Sequence, residues 1–185
     1  MRHGESRPNV QGIIVSNPVD GPNPEYGLTK KGRQQVLDSI LVAQNRDWLD
    51  AKTIIIASLF SRAYESAEII AKVLGSSRRV ISEGALRERW FGRFEKTSNQ
   101  NYQKVWDKDR LDPNHREFGV ETAVQVQDRV TDLVNILECR HVNKKFLLVS
   151  HGDALQILQT GFAKVSPALH RTMKHLEVAE IRELS

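Results

Sequence analysis

Two short segments of this chain join a histidine to a glycine and an acid: Arg2-His3-Gly4-Glu5 and Ser150-His151-Gly152-Asp153. A third, Ser58-Leu59-Phe60-Ser61-Arg62, ends on an arginine. A neutral imidazole held in one orientation is a competent nucleophile near pH 7. Guanidinium groups grip phosphate oxygens two at a time. Two histidines and two arginines gathered at one edge of a fold would form a strongly cationic pocket, and that chemistry points to a phosphate ligand.

The intervening sequence supplies elements that could bring them together. Thr53-Ile54-Ile55-Ile56-Ala57 and Phe146-Leu147-Leu148-Val149 are compact apolar runs, each expected to be a strand buried on both faces. The arginine segment comes directly after the first run and the second histidine segment directly after the other. Helical spacing of Val36, Leu37, Ile40 and Leu41 predicts a helix opened by Thr29 as N-cap. Ala63, Ala67, Ile70 and Leu74 predict a second helix, with Gly75 where a C-terminal cap belongs. A short strand is expected over 79–82, a long helix over 121–139, a helix over 153–162 and a final strand over 176–181. Asn9 to Tyr26 and Gly84 to Phe118 read as loops, the latter a lid or binding segment. Strands alternating with such helices predict an α/β fold, a three-layer sandwich around a mostly parallel sheet, in a single domain over 1–185. In such sheets ligands bind beyond the carboxyl ends of the strands, near helix N-termini that favour anions.

The same residues resemble the histidine phosphatase superfamily, the phosphoglycerate mutase-like fold. Arg2-His3-Gly4-Glu5, followed by Asn9, is similar to its opening signature. Leu28-Thr29-Lys30-Lys31-Gly32 resembles the Leu-Thr-x-x-Gly step at the first helix. The segment from Ser58 to Ala63 resembles Ser-x-Leu-x-Arg-Ala, although here the order is Ser-Leu-Phe-Ser-Arg. Leu86-Arg87-Glu88-Arg89-Trp90-Phe91-Gly92 resembles the segment that carries a general acid, and Ser150-His151-Gly152 the second histidine motif. Each is weak alone. Five in order along nearly the whole chain are specific.

The resemblance implies roles. His3 would attack phosphorus and form a phosphohistidine. Arg2, Arg62 and His151, with Gly152 beside them, would hold the phosphoryl oxygens, and Asn9 is a secondary candidate for that contact. Glu88 would protonate the leaving oxygen and then take a proton from water, help typically worth about 10²–10⁴-fold. Cationic groups would supply the charge compensation that phosphoryl transfer needs, so no metal and no cofactor is expected. The partner is a small phosphorylated substrate. The short stretch between Glu88 and His151 resembles the compact phosphatase branch rather than the cofactor-dependent mutases, which carry a longer insertion there.

Other readings are weaker. Ser150, His151 and Asp153 are almost adjacent, so they cannot meet as a serine triad. No Walker loop, Gly-x-Ser-x-Gly elbow or Gly-x-Gly-x-x-Gly run is present. His115, His141, His170 and His175 look ordinary, and Cys139, the single cysteine, can neither form an internal disulfide nor build a multi-cysteine zinc site. Trp90, Phe91 and Phe94 among arginines could suggest stacking on single-stranded nucleic acid, but lid packing beside a phosphate pocket is the simpler account. Lys+Arg at 27 against Asp+Glu at 23 leaves +4 over 185 residues, too little and too dispersed for a nucleic-acid footprint. No apolar run is long enough to span a bilayer and no signal-peptide pattern is visible, so a cytoplasmic protein without membrane partners is expected.

Two departures accompany the resemblance. Lys96 stands where many members have glycine, and Gly119-Val120-Glu121 replaces a common Gly-Glu; both lie in the substrate-facing half. The family also implies a hydrophobic strand immediately before Arg-His-Gly, where only Met1 stands. The expectation is therefore a sheet lacking its usual first strand, in a truncated chain or one weakened by an alternative start. Two classes of function remain: a metal-independent phosphomonoesterase, with mutase activity as its variant, or a non-catalytic phosphate- or phosphoprotein-binding module. A positioned acid such as Glu88 favours the enzyme, because a binding module has no use for one.

Overall fold

The β-branched run Ile54–Ala57 forms strand β1, buried along its whole length in a computed structural model that describes residues 1–184. It pairs in parallel with β3 (Phe146–Val149) and with the two-residue β2 (Ile81–Ser82), giving the order β2-β1-β3. The register sets Ile54 opposite Phe146 and Ala57 opposite Val149, so the two strands end level. Both apolar runs thus deliver the residues that succeed them, Ser58 and Ser150, to the same sheet edge.

Alternation along the strands divides the core. Ile55, Ala57, Leu147 and Val149 pack with Val36 and Ile40 of α2 (Lys30–Asn45) and Ala67 and Ile70 of α3 (Ser61–Val73). Ile54, Ile56, Phe146 and Leu148 face the other way, toward Leu133 and Leu137 of α5 (Ala123–Arg140). Helix α6 (Gly152–Phe162) packs beside α5 through Val130, Leu155 and Leu158. Helices on both faces of a parallel sheet make the three layers expected.

The helix starts have local causes. The Thr29 hydroxyl accepts from the Gly32 amide at 2.9 Å and donates to a Glu5 carboxylate oxygen at 2.9 Å, which ties α2 to the segment after His3. Thr122 and Gln125 form a reciprocal capping box, so α5 begins at Ala123 and leaves Glu121 free to pair with Arg87 and Arg129. Gly75 comes after α3 at φ +64°, the left-handed position that ends a helix.

Three expectations are corrected. Within the loop-like Asn9–Tyr26 stretch and just before it lies a five-residue helix, α1 (Arg7–Gln11), which has Pro8 in its first turn, where a missing N–H costs nothing. The segment 84–118 is not an open loop: it holds α4 (Tyr102–Asp109) and short 3₁₀ turns, and its Phe91, Phe94 and Val105 form a small apolar core with Ile14 and Val120. The strand expected over 176–181 does not form. Ala179 adopts φ +61° and Glu180 turns back to bond the Glu177 carbonyl, so among the described residues the segment's backbone reaches its neighbour's through two bonds, Arg2 N–H to Glu180 O and Ala179 N–H to His3 O.

That neighbour is the start of the chain. Residues 1–3 lie beside β3 as a strand stub, joined by the parallel bridge between Arg2 and Ser150. The Met1 α-ammonium donates to Leu148 O at 2.7 Å and is buried, which pushes its pKa down to about 5. Beyond it, a groove of about 520 Å³ is lined by Leu137, Phe146, Leu148, Leu158 and Phe162. Among the described residues no helix is long and apolar enough to cross a membrane.

Candidate active site

The stub, β1 and β3 place His3, Ser58 and His151 at one end of the sheet, and α3 adds Arg62 from its first turn. His3 is buried, and its ring lies edge-on to that of His151 with centroids 5.2 Å apart. Its Nδ1 lies 2.7 Å from the Gly4 carbonyl, an acceptor, so the proton belongs on Nδ1 and Nε2 keeps its lone pair. Arg62 Nε–H donates to that Nε2 at 3.1 Å. Burial pushes the His3 pKa well down, and Arg62 and Arg2 push it further, so the ring is neutral near pH 7.

Close backbone approach holds this histidine in place. A side chain on Gly4 would put its Cβ 2.4 Å from the Gly32 carbonyl oxygen, and one on Gly32 would lie 2.0 Å from that of Glu5. Only paired glycines let the turn after His3 rest on the first turn of α2. Ser66 of α3 completes the clamp: its hydroxyl accepts from the Gly4 amide and donates to the Arg62 carbonyl.

Arg62 spends Nη2 on the Val15 carbonyl at 2.9 Å, leaving Nη1 buried with no partner among the described residues. Arg2 spends Nη1 on the Leu176 carbonyl and His175 Nε2, both at 2.9 Å, leaving Nε buried and unpartnered. Its guanidinium lies flat against Gly152, where an added Cβ would already touch it at 3.4 Å. His151 bonds Ser58 Oγ through Nε2 at 2.8 Å and leaves Nδ1 buried and unpartnered. Its pKa, like that of His3, is driven well down, first by burial and then by Arg62 and the His3 ring. Buried polar groups are rarely left unpaired. Arg2 Nε, Arg62 Nη1 and His151 Nδ1 are three of seven buried side-chain atoms left without a partner among the described residues, and nitrogens of this kind beside a neutral histidine suit an anion.

Glu88 faces the same pocket. One carboxylate oxygen accepts from the Arg89 amide at 2.9 Å, and the side chain is 7 % exposed. Burial, and then the Asp153 carboxylate, raise its pKa to about 7 against the pull of Arg62 and Arg2. A carboxyl poised there can give a proton and take it back. Tyr102 closes the pocket from α4: its phenol is pushed up by burial and by the Glu88 charge, and its ring stacks on Trp106 with centroids 5.5 Å apart.

A second layer of charge fixes Glu88 from behind. Arg89, fully buried, makes a bidentate pair with Asp109 at 2.6 and 2.8 Å and reaches Asp153 at 3.3 Å. Asp109 also accepts from His115 at 2.9 Å and His170 at 3.2 Å. Burial opposes the Asp109 charge, but the Arg89 and His170 bonds outweigh it and hold the carboxyl well below its usual range. Asp153 accepts from Trp106 Nε1 at 2.9 Å.

Six of the seven residues singled out by the sequence therefore meet: Arg2, His3, Arg62, Glu88, His151 and Gly152. Asn9 does not join them. It is exposed, and its side-chain oxygen accepts from both the Ser6 amide and the Ser6 hydroxyl, a local duty at the start of α1. Sequence reasoning misses Ser58, Tyr102 and Asp153 as members of the site. Ser58 and Asp153 stand inside the arginine and histidine segments but carry no independent signal, and Tyr102 lies in the segment that reads as a loop.

Known proteins share this architecture. The chain is 36% identical over 167 residues to the probable phosphoglycerate mutase GpmB of Photorhabdus laumondii, covering 85% of this chain and 70% of that protein. It is 27% identical over 186 residues to the uncharacterized phosphatase PhoE of Bacillus subtilis, covering 97% and 87%. The solved structure of a mycobacterial glucosyl-3-phosphoglycerate phosphatase in complex with VO3 superposes with a TM-score of 0.78 at 22% identity, covering 96% of this chain and 87% of that one. The sequence profile of the histidine phosphatase superfamily, branch 1, matches residues 1–185 from end to end. With the order of motifs, the parallel sheet and a profile match over the full length in agreement, the chain belongs to the histidine phosphatase superfamily (branch 1).

Proposed function

We propose that this protein is a phosphomonoester hydrolase that works through a phosphohistidine on His3. The observation that carries the reading is a buried, neutral His3 with Arg62 Nε bonded to its Nε2 and the His151 ring 5.2 Å away, while Arg2 Nε, Arg62 Nη1 and His151 Nδ1 stay buried and unpartnered among the described residues. In the first step His3 Nε2 attacks phosphorus, the N–P bond forms and the bond to the leaving oxygen breaks. Glu88 gives its proton to that oxygen. In the second step water attacks phosphorus, Glu88 takes the water's proton, and the N–P bond breaks to release phosphate and the free imidazole. The orphaned donors hold the non-bridging oxygens throughout, which is the electrostatic share of the catalysis.

A pKa near 7 suits Glu88 to both halves, because the group must be acid in one and base in the other. It also favours an enzyme over a passive phosphate-binding module. Relatives named for phosphatase activity support hydrolysis of a small phosphorylated metabolite. The similarity to a probable phosphoglycerate mutase supports a second reading, phosphoryl transfer between positions of one substrate. Against it stands the short span from Glu88 to His151.

The test is hydrolysis of p-nitrophenyl phosphate in excess chelator, with 3-phosphoglycerate plus catalytic bisphosphoglycerate assayed in parallel. Turnover that survives chelation, with a base-stable phosphoprotein trapped in the parent and absent in His3→Ala, is the expected result. Equal turnover in His3→Ala overturns the mechanism, and isomerisation outpacing release of phosphate moves the reading to mutase.

A further inference from the structure

We infer that Ser58 is a positioning residue for the phosphoryl site: its hydroxyl donates to His151 Nε2 and so holds the His151 proton on Nδ1, facing the bound phosphate. The inference rests on the phosphatase reading of the pocket and adds to it the source of one hydrogen-bond donor.

Ser58 Oγ and His151 Nε2 are 2.8 Å apart, and both residues are fully buried, so their protons must find partners among protein groups. One proton lies between the two atoms, and it can belong to either. Ser58 Oγ also accepts from the Phe60 amide at 3.2 Å. If the hydroxyl donates to His151, Ser58 makes one bond as donor and one as acceptor, and is satisfied. If instead His151 Nε2–H donates, the hydroxyl accepts twice, and its own proton finds no acceptor among the described residues. Leaving a buried hydroxyl proton unpaired is costly. The first arrangement is the one that closes.

Its consequence falls on the opposite side of the ring. With Nε2 as acceptor, a neutral imidazole carries its hydrogen on Nδ1. That atom is buried and unpartnered among the described residues, as are Arg2 Nε and Arg62 Nη1, and its ring lies edge-on to that of His3 at 5.2 Å. In the other tautomer Nδ1 would present a lone pair to a phosphoryl oxygen and repel it. His151 therefore contributes a donor without being protonated. The surroundings favour this, because burial first, and then Arg62, disfavour a positive charge on the ring. Phe60 supports the geometry from the side, its ring edge-on to that of His151 at 5.0 Å.

In metal sites, side chains that fix the tautomer of a ligating histidine are typically worth about 10–100-fold, and the lower end of that range sets the scale expected for Ser58. Ser58 lies four residues before Arg62 because the turn from β1 into α3 must present both: the hydroxyl to His151 and the guanidinium to His3.

The experiment is long-range ¹H–¹⁵N NMR of ¹⁵N-histidine-labelled protein near pH 7.5, with the His151 signals assigned by their loss in His151→Asn. The parent is expected to show a protonated, pyrrole-type Nδ1 and a pyridine-type Nε2 at His151. Ser58→Ala is expected to move His151 to the other tautomer or to a mixture, and to weaken orthovanadate binding about tenfold. Ser58→Thr, which keeps the hydroxyl, is expected to restore both. A parent with Nε2 protonated, or an alanine variant with parental tautomer and vanadate affinity, overturns the inference. The parental spectrum decides it even if the alanine variant fails to fold. Failure of the phosphatase reading is separate, since it would show as absent aryl phosphate hydrolysis whatever the tautomer.

Discussion

Replacing Glu88 by glutamine should make the protein more stable at pH 8 while abolishing its turnover. The reason is the burial of a carboxyl that must ionise at a cost. Unfolded, Glu88 has the ordinary carboxyl pKa of 4.5; folded, it titrates at about 7. Below pH 4.5 both states hold the proton and there is no penalty. As pH rises toward 7 the unfolded chain loses its proton while the native state retains it, so stability falls, and above 7 the full cost stands. At about 1.36 kcal/mol per pH unit between the two values, the cost is about 3 kcal/mol, most of which develops between pH 5 and pH 8. Glu88 is 7 % exposed, so solvent screening takes little of it.

Glutamine is the right probe because its side-chain oxygen can still accept from the Arg89 amide, and because it cannot ionise. Urea unfolding of both proteins at pH 5 and pH 8, in buffers free of phosphate and sulfate, isolates the effect. Everything else that titrates is common to the two proteins, and any fixed packing difference cancels between the two pH values. The stability gap between variant and parent should widen in the variant's favour by about 2–3 kcal/mol on going from pH 5 to pH 8. In a chain of this size that is a relative gain of roughly 5–12 °C in Tm. A gap that does not change with pH would refute the claim that Glu88 is a desolvated acid, and with it the case for Glu88 as the proton donor.

Asp153→Asn should lower the Glu88 pKa by up to about one pH unit, since it removes a like charge and frees positive charge on Arg89. The alkaline limb of the first half-reaction, measured as kcat/KM against pH, would move to lower pH. Asp109→Asn breaks a buried pair and leaves Arg89 under-compensated, so a loss of about 3–5 kcal/mol is expected in chemical denaturation. Gly4→Ala should lose both stability and activity, because its Cβ would sit 2.4 Å from a backbone oxygen; a variant with unchanged urea midpoint and turnover contradicts the need for close backbone approach. Orthovanadate, filling the three orphaned donors, should stabilise the parent by about 2.7 kcal/mol at a hundred times its Kd. Arg62→Ala should abolish most of that gain in a thermal shift assay.

The sequence is most informative where a strand ends. Both buried strands announce themselves as short apolar runs, and register then delivers Ser58 and Ser150 to one edge. Helices α2, α3 and α5 are readable from their spacing, and the cap of α2 from Thr29. Whatever depends on contacts between distant segments is not readable. Arg89, Asp109, His115, His170 and Asp153 form one buried cluster, yet no local pattern joins residues spread over 82 positions, from 89 to 170. Two of those histidines look ordinary because a histidine that satisfies a buried carboxylate leaves no mark on its neighbours in sequence. The final strand misleads for a local reason: Leu176 and Ile181 suit a strand, but Ala179 turns left-handed between them. Asn9 shows the opposite hazard, for its side chain answers to Ser6 three residues away.

The two charged layers of this pocket differ in how their arginines are paired, although the rear layer too leaves His115 Nδ1 and His170 Nδ1 without a partner among the described residues. Arg89 and Asp109 satisfy one another almost completely in a fully buried position, an arrangement that fixes geometry and offers nothing to a ligand. One layer forward, Arg2 and Arg62 each tie down one nitrogen to a carbonyl and hold another in reserve. That reserve is unfavourable while the pocket is empty and becomes favourable when an anion enters. In the proposed mechanism that anion would add negative charge beside Glu88 and so strengthen its hold on the proton that the leaving oxygen takes. In the same mechanism the alcohol departs neutral with the Glu88 proton, and the carboxylate left behind is the base for the second step. Asp153 belongs to both layers: it accepts from Arg89 and Trp106 behind, and its charge raises Glu88 in front. The scaffold's stability is thus the means by which an isolated acid and three unpaired donors can be kept in place.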